Sequence, residues 1–122
     1  MNVAISGNRY WIDHKRIYDA LSALDPNKDF VILGDAKGAD TIARKACRKL
    51  ELPHIVYVAH WSKEGRAAGP KRNARMLENA DELWYFHHDL KNSKGTLNCV
   101  TQARNYAVNH NRPISVRNRS DA

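Results

Sequence analysis

Short apolar runs alternate along this chain with longer segments in which apolar residues recur every three or four positions, and that rhythm is the pattern of a parallel sheet joined by crossover helices. Asn2 to Ser6 reads as a first strand. Asp13, a side chain suited to a helix N-cap, precedes Ile17, Leu21 and Leu24, which step by four and three before Asp25-Pro26-Asn27 ends the helix. Phe30 to Leu33 follows as a strand. Ile42, Ala43, Ala46, Cys47 and Leu50 mark one face of a second helix that stops at Leu52-Pro53, and Ile55 to Val58 makes a third strand. Ala59 to Gly69 reads as a charged loop, and Pro70, whose missing N–H costs nothing at a helix start, opens a helix to about Ala80. Leu83 to Phe86 is a fourth strand, His87 to Lys94 a polar loop, and Leu97, Val100, Ala103 and Ala107 a last helical face. Pro113 to Val116 supplies the fifth strand.

The sum is an α/β fold: a three-layer, doubly wound, mostly parallel sheet of about five strands. A chain of 122 residues fits one such domain, expected over residues 1–116, with 117–122 as a polar tail. A chain of this size buries roughly two thirds of its unfolded surface, enough for an ordinary core without staples. The 43% hydrophobic content agrees with that.

In open sheets of this kind ligands bind beyond the carboxyl ends of the strands, so four connections share one rim. They are Ser6 to Arg9, Gly34 to Asp40, His60 to Arg72 and His87 to Thr96, and they hold most of the unusual residues. Ser6-Gly7-Asn8-Arg9 offers a glycine for close backbone approach, then an amide and a guanidinium; the same residues also make an ordinary turn. Gly34-Asp35-Ala36-Lys37-Gly38-Ala39-Asp40 leads into a helix whose free N–H groups attract anions, yet it matches neither a Walker loop nor Gly-x-Gly-x-x-Gly. Asp40 suits a helix N-cap, a ribose-hydroxyl acceptor or an acid/base. Trp61 to Met76 carries a basic cluster with Arg72, beside Gly69, Pro70 and Asn73, that suits phosphate, while Trp61 offers a ring for a base or a cover for the core edge. Lys94-Gly95-Thr96 fits a second anion or a plain helix cap.

Twenty Lys and Arg against thirteen Asp and Glu leave a net charge of +7, which favours an acidic partner. Arg104, Arg112, Arg117 and Arg119 form a second basic region toward the C-terminus without a DNA-reading motif. Cys47 and Cys99 form no Cys-x-x-Cys pair, which removes zinc ribbons and thioredoxin chemistry and points to buried thiols in a reducing, cytoplasmic compartment. The six histidines show no metal-ligand spacing, so no metal and no cofactor is expected. The longest apolar stretch, Ile55 to Ala59, is far short of a membrane span, and no secretory leader pattern opens the chain.

Taken together, Ser6-Gly7-Asn8-Arg9, Gly34 to Asp40, His60-Trp61, Gly65, Ala68-Gly69-Pro70-Lys71-Arg72-Asn73, Met76 and Gly95-Thr96 resemble, in order and spacing, the YspA/YpsA-related branch of the SLOG superfamily. The likeness runs over about residues 2–116, and Ala-Gly-Pro-x-Arg-Asn-x-x-Met is its most specific part. The resemblance implies a Rossmann-like fold, a nucleotide or nucleotide-derived ligand, and a homodimer; the superfamily includes LOG phosphoribohydrolases and DNA-binding DprA proteins. Two departures stand out. Asp35 replaces the second glycine of the family's usual Gly-Gly-Ala-x-Gly-Ala-Asp turn, and Cys99 follows Gly95-Thr96-Leu97-Asn98 where LOG hydrolases carry a catalytic glutamate.

These residues lead to a site for a phosphorylated sugar in which N-glycosidic hydrolysis would use Asp40 as the carboxylate, with Asp35 and Glu64 as the other candidates, and Arg72, Arg9 and Lys37 as the phosphate clamp. On this reading Arg72→Ala removes ligand-induced stabilisation and leaves the apo fold intact. The alternatives are a nucleic-acid-binding module and a non-catalytic protein that senses or sequesters a nucleotide signal.

Overall fold

Apolar residues alternate sides along each strand, and here both sides are buried. In β1 (Asn2–Gly7), Val3 and Ile5 face one core while Ala4 faces another. The same division holds for Val31 and Leu33 against Ile32 in β2 (Phe30–Leu33), and for Trp84 and Phe86 against Leu83 and Tyr85 in β4 (Glu82–Phe86). The structure, a computed structural model, describes residues 1–121. With β3 (His54–Val56) and β5 (Ser115–Asn118), the strands among the described residues form one sheet in the order β3-β2-β1-β4-β5, every neighbouring pair parallel. The sheet is therefore entirely rather than mostly parallel.

Chain direction across the sheet reverses after β3, so the crossovers pack on opposite faces. Helices α1 (His14–Leu21) and α2 (Ala39–Lys49) cover one face through Ile17, Leu21, Ile42 and Ala43. After the short α3 (Trp61–Glu64), α4 (Ala68–Leu77), α5 (Lys94–Arg104) and α6 (Tyr106–His110) cover the other through Met76, Leu77, Val100 and Tyr106. The reversal leaves a switch point between β1 and β4, and the ligand crevice of such folds opens there, beyond the strands' carboxyl ends.

Asp13 caps α1 as its sequence suggests, its carboxylate accepting from the Arg16 amide at 3.0 Å. Elsewhere the chain departs from the sequence reading. The expected loop from Ala59 to Gly69 contains α3 and a 3₁₀ turn at Gly65–Ala67, hinged at Gly65, whose φ of 57° suits glycine. Helix α4 starts at Ala68, so Pro70 is its third residue; the first N–H groups of a helix have no internal partner, and proline is tolerated there as well. The last helical segment breaks at Asn105, between α5 and α6. Strand β5 begins two residues after Pro113, which has no N–H for the ladder, and pairs Ser115 with Glu82.

The expected polar tail is in good part ordered structure. Arg117 and Asn118 belong to β5, the Arg119 amide donates to the Tyr85 carbonyl at 2.9 Å, and buried Ser120 donates its hydroxyl to the His87 carbonyl at 3.1 Å. Ala122 lies outside the described residues. No described helix is long and apolar enough to cross a membrane.

Candidate functional site

The turns after β1 and β2 are built against each other. Gly38 adopts φ 72°, and a Cβ there would meet the Asn8 and Arg9 carbonyls at 2.4 Å, so only glycine fits. The Asn8 carbonyl in turn accepts from the Ala39 amide at 3.0 Å and the Trp11 amide at 3.1 Å. Gly7 ends β1 in register with Phe86 and lies beneath the Ala39 methyl group. One of the free amides at the start of α2 is thereby used by the neighbouring turn.

Asp40 is not the helix N-cap; Gly38 holds that position. The carboxylate folds back instead, and its Oδ2 accepts from the Ala36 amide at 3.1 Å. Asp40 is 5% exposed, and its Oδ1 is buried without a hydrogen-bond partner. Burial pushes this carboxyl up to about 7, against the opposing pull of the Arg72 charge and the Ala36 amide, with Asp35 adding repulsion.

Arg72 reaches the same place from α4, on the other face of the sheet. A Cβ on Gly34 would lie 2.7 Å from Asp40 Oδ2 and 2.9 Å from Arg72 Nη1, so the two side chains meet over the end of β2 because Gly34 has none. Arg72 Nη1 donates to Asp35 Oδ1 at 2.5 Å, and Arg72 Nε to Asn73 Oδ1 at 3.1 Å. Asp35 Oδ1 also accepts from the Ala59 amide at 3.2 Å, which ties the turn after β2 to the chain after β3. The guanidinium expected to clamp phosphate thus bonds Asp35 and Asn73, and its charge acts on Asp40 without a direct ion pair.

Asn73 continues the network toward α5: its Nδ2 donates to Asn98 Oδ1 at 3.1 Å and to the Gly95 carbonyl at 3.3 Å. Gln102 Nε2 donates to Asn98 Oδ1 at 2.7 Å and to the carbonyl of exposed Pro70 at 3.1 Å. Thr96 is buried but is not the cap of α5; Ser93 is, accepting from the Thr96 amide. Cys99 lies beneath, its thiol pushed up to about 12 by burial and then by the Asp40 charge, with Ser6 beside it.

The rim thus brings together Ser6, Gly34, Asp35, Asp40, Arg72, Asn73 and Cys99. Arg9, Lys37 and Trp61 stand further out, all exposed. The Arg9 guanidinium lies 5.5 Å over the Tyr10 ring, and the exposed Trp61 ring rests on Gly69. Glu64 is not part of the cluster and faces Lys71 at 3.5 Å and Arg75 at 3.9 Å. Asn98 and Gln102 escaped the sequence reading; their i, i+4 spacing on α5 is the signal that marks a shared face.

The C-terminal basic region does not form one surface. Arg112 donates to the carbonyls of Leu77, Glu78 and Ala80 at the end of α4, Arg117 pairs with Glu82 at 2.9 Å, and Arg119 lies 4.3 Å over the Trp84 ring. Among the described residues no group of His, Cys, Asp and Glu has the arrangement of a metal site.

Comparison with solved structures finds the same fold in DNA processing protein A (DprA) from Streptococcus pneumoniae, with a TM-score of 0.70 over 94% of this chain at 15% identity. This chain spans about half of that one, 49% of its length. The Gene 61 protein of Mycobacterium phage D29 is 30% identical over 115 residues, 87% of this chain and 90% of the relative. The model of the YspA, cpYpsA-related SLOG family matches residues 1–63, the half of the chain that carries the turns after β1 and β2. With the remaining rim residues drawn onto those turns by Arg72 and Asn73, the chain belongs to the YspA, cpYpsA-related SLOG family.

Proposed function

We propose that the carboxyl-end rim binds a nucleotide or nucleotide-derived ligand, with the sugar hydroxyls at Asp40 and the phosphate further out toward Lys37 and Arg9. The observation that carries this reading is Asp40 Oδ1, a buried carboxylate oxygen without a donor. Such an atom costs about 1–3 kcal/mol, and a ligand hydroxyl donating to it offsets that. Asp35 pairs with Arg72 and the Asp40 carboxyl lies nearby, so the centre of the site favours neutral donors over phosphate. Lys37, exposed on the same turn, leaves phosphate a place at the edge. Trp61 supplies an exposed ring on which a base stacks.

The same geometry fits N-glycosidic hydrolysis. Cleavage of a ribosyl bond develops positive charge at C1′, which a carboxylate beside the sugar stabilises. In this reaction the Asp40 carboxylate takes a proton from water as the water oxygen bonds to C1′. The bond to the base breaks with its electron pair on the base nitrogen, and that nitrogen recovers the proton. A carboxyl titrating near 7 suits both transfers. The Ala36 amide keeps Asp40 oriented and the Arg72 charge favours its carboxylate form, while the Cys99 thiol, protonated at neutral pH, takes no part as an acid or base.

The test is a thermal-shift screen over nucleoside mono-, di- and triphosphates, NAD and ADP-ribose, with chromatography of each hit for released base. Selective stabilisation that Asp40→Asn removes supports the site. Released base supports hydrolysis, and unchanged ligand after long incubation supports sensing or sequestration instead. A screen with no stabilising ligand overturns the reading.

A further inference from the structure

Helix α2 has two unlike sides. Ile42, Ala43, Ala46 and Cys47 are buried in the core, while Thr41, Arg44, Lys45, Arg48 and Lys49 are all exposed on the other side. Four positive charges thus stand within six residues, and the one carboxylate of the helix, Asp40, is buried in its first turn. Arg48 and Lys49, in the last turn, complement the helix dipole. Arg44 and Lys45 lie a turn earlier, where the dipole does not account for them. Each also has a like charge four residues on, a spacing that costs helix stability.

Basic side chains elsewhere have carboxylate partners. Lys15 pairs with Asp19, Lys71 and Arg75 face Glu64, and Arg117 meets Glu82. Among the described residues no carboxylate lies within ion-pair distance of Arg44, Lys45, Arg48 or Lys49. More than half of the net charge of +7 therefore equals what this one exposed face carries unopposed.

We propose that the outer face of α2 docks the phosphate backbone of a double-stranded nucleic acid without reading its sequence. The chemistry of the face selects that partner. Protein interfaces centre on apolar or aromatic anchors and are poor in lysine, and a basic patch holds a membrane stably only with a second, lipid-buried anchor. The apolar residues of α2 are all turned inward, so charge is what this face offers. Nucleic acid is the partner that charge alone binds, through release of counterions from its phosphates. Single strands add stacking of bases on exposed rings, and α2 has no aromatic residue. The spacing also suits a duplex. Arg44 to Arg48 and Lys45 to Lys49 each advance about 6 Å along the helix axis, and the two rows stand about 100° apart around it. A helix roughly 10–12 Å across matches the major groove at about 12 Å, so a duplex laid on this face meets one row with each bordering backbone.

The experiment titrates the full chain with a fluorescein-labelled DNA duplex of mixed sequence, followed by anisotropy across a range of salt. Four phosphate contacts give a slope of log K against log salt of about −3.6, a loss of about 150-fold between about 50 and 200 mM. Arg44→Gln with Arg48→Gln lowers the slope by about 1.8 and weakens binding roughly 60-fold at about 0.1 M salt. The melting temperature stays unchanged, because glutamine suits a helix as well as arginine does. Arg44→Lys with Arg48→Lys keeps the slope. Lys91→Gln with Arg104→Gln removes the same charge from exposed positions off α2 and leaves binding nearly as it was. Asp40→Asn leaves the duplex titration unaltered, and the Arg44 and Arg48 variants keep any nucleotide-induced thermal shift, so this face and the rim fail or stand separately. An equal fall for both glutamine pairs overturns the proposal in favour of diffuse attraction to the net charge. It is overturned as well by oligothymidylate binding tighter than duplex and indifferent to Arg44 and Arg48, by capture on phosphatidylserine vesicles in place of duplex, or by the absence of salt-dependent binding.

Discussion

Asp40 and Arg72 approach each other from opposite faces of the sheet over a residue with no side chain, Gly34. A Cβ there would stand 2.7 Å from Asp40 Oδ2 and 2.9 Å from Arg72 Nη1, and both groups are held by other bonds. Gly34→Ala is therefore expected to push them apart and to lower stability by about 1–3 kcal/mol, as overpacking does. Gly95, where an added Cβ meets nothing within 4 Å, is the control: Gly95→Ala keeps or raises stability by about 0.5–1 kcal/mol. Urea unfolding of the two variants checks the contrast. Equal midpoints for Gly34→Ala and the unaltered chain would remove the steric basis of the site.

Asp40 makes the protein's stability depend on pH in an unusual direction. Its folded value of about 7 lies above the ordinary 3.8, so between those values the folded state binds the proton more firmly than the unfolded state. Stability from this group is complete below about pH 4 and is lost as pH rises toward 7, on the order of a few kcal/mol. Asp40→Asn keeps an oxygen for the Ala36 amide and removes the titration. The variant is expected to melt above the unaltered protein at pH 8 and to lose that advantage at pH 4. Parallel melting curves at both pH values would show that the carboxyl titrates normally.

The fold was legible because alternation decides it locally: Val3, Ala4 and Ile5 already divide between the two cores before any tertiary contact is known. The boundaries were less so. Helix α3 and the early start of α4 depend on Gly65 and on the third-position tolerance for Pro70, neither of which periodicity records. The rim residues were legible as types, and Gly34, Asp40, Arg72 and Asn73 do assemble. What the chain order could not show is pairing. Asp35, which the sequence marks only as a departure from the family's usual turn and a candidate carboxylate, becomes the partner of Arg72, because the opposite face of the sheet brings a buried guanidinium to it.

Neither cysteine should behave as a reactive thiol. Cys47 and Cys99 are buried, and burial pushes each thiol up to about 12, which leaves almost no thiolate at neutral pH. Iodoacetamide at pH 8 is expected to leave the folded protein unmodified over an hour and to alkylate both residues in denaturant, read by intact mass. Rapid single modification of the native chain would place one thiol in a more open environment than its core implies, that of Ile42 and Ala43 for Cys47 or of Val100 and Met76 for Cys99.

Removing Arg72 tests how the site and the fold share one residue. From sequence, Arg72→Ala would silence ligand binding and spare the apo protein. The contacts of Arg72 lead to a different expectation for the second half. Arg72 is 8% exposed, bonds Asp35 at 2.5 Å and Asn73 at 3.1 Å, and lowers the proton affinity of Asp40. Its loss leaves Asp40 buried without its counter-charge, while the partly exposed Asp35 recovers water. The expected cost is about 1–3 kcal/mol at pH 7, less than for a fully buried pair. Because Asp40 then has a stronger preference for its neutral form, the cost shrinks as pH falls toward 4, and Arg72→Ala combined with Asp40→Asn is less destabilising at pH 8 than Arg72→Ala alone. Denaturant titrations of the single and double variants at pH 4 and pH 8 measure that coupling directly. Strict additivity at pH 8 would mean that the two side chains do not interact across the end of β2.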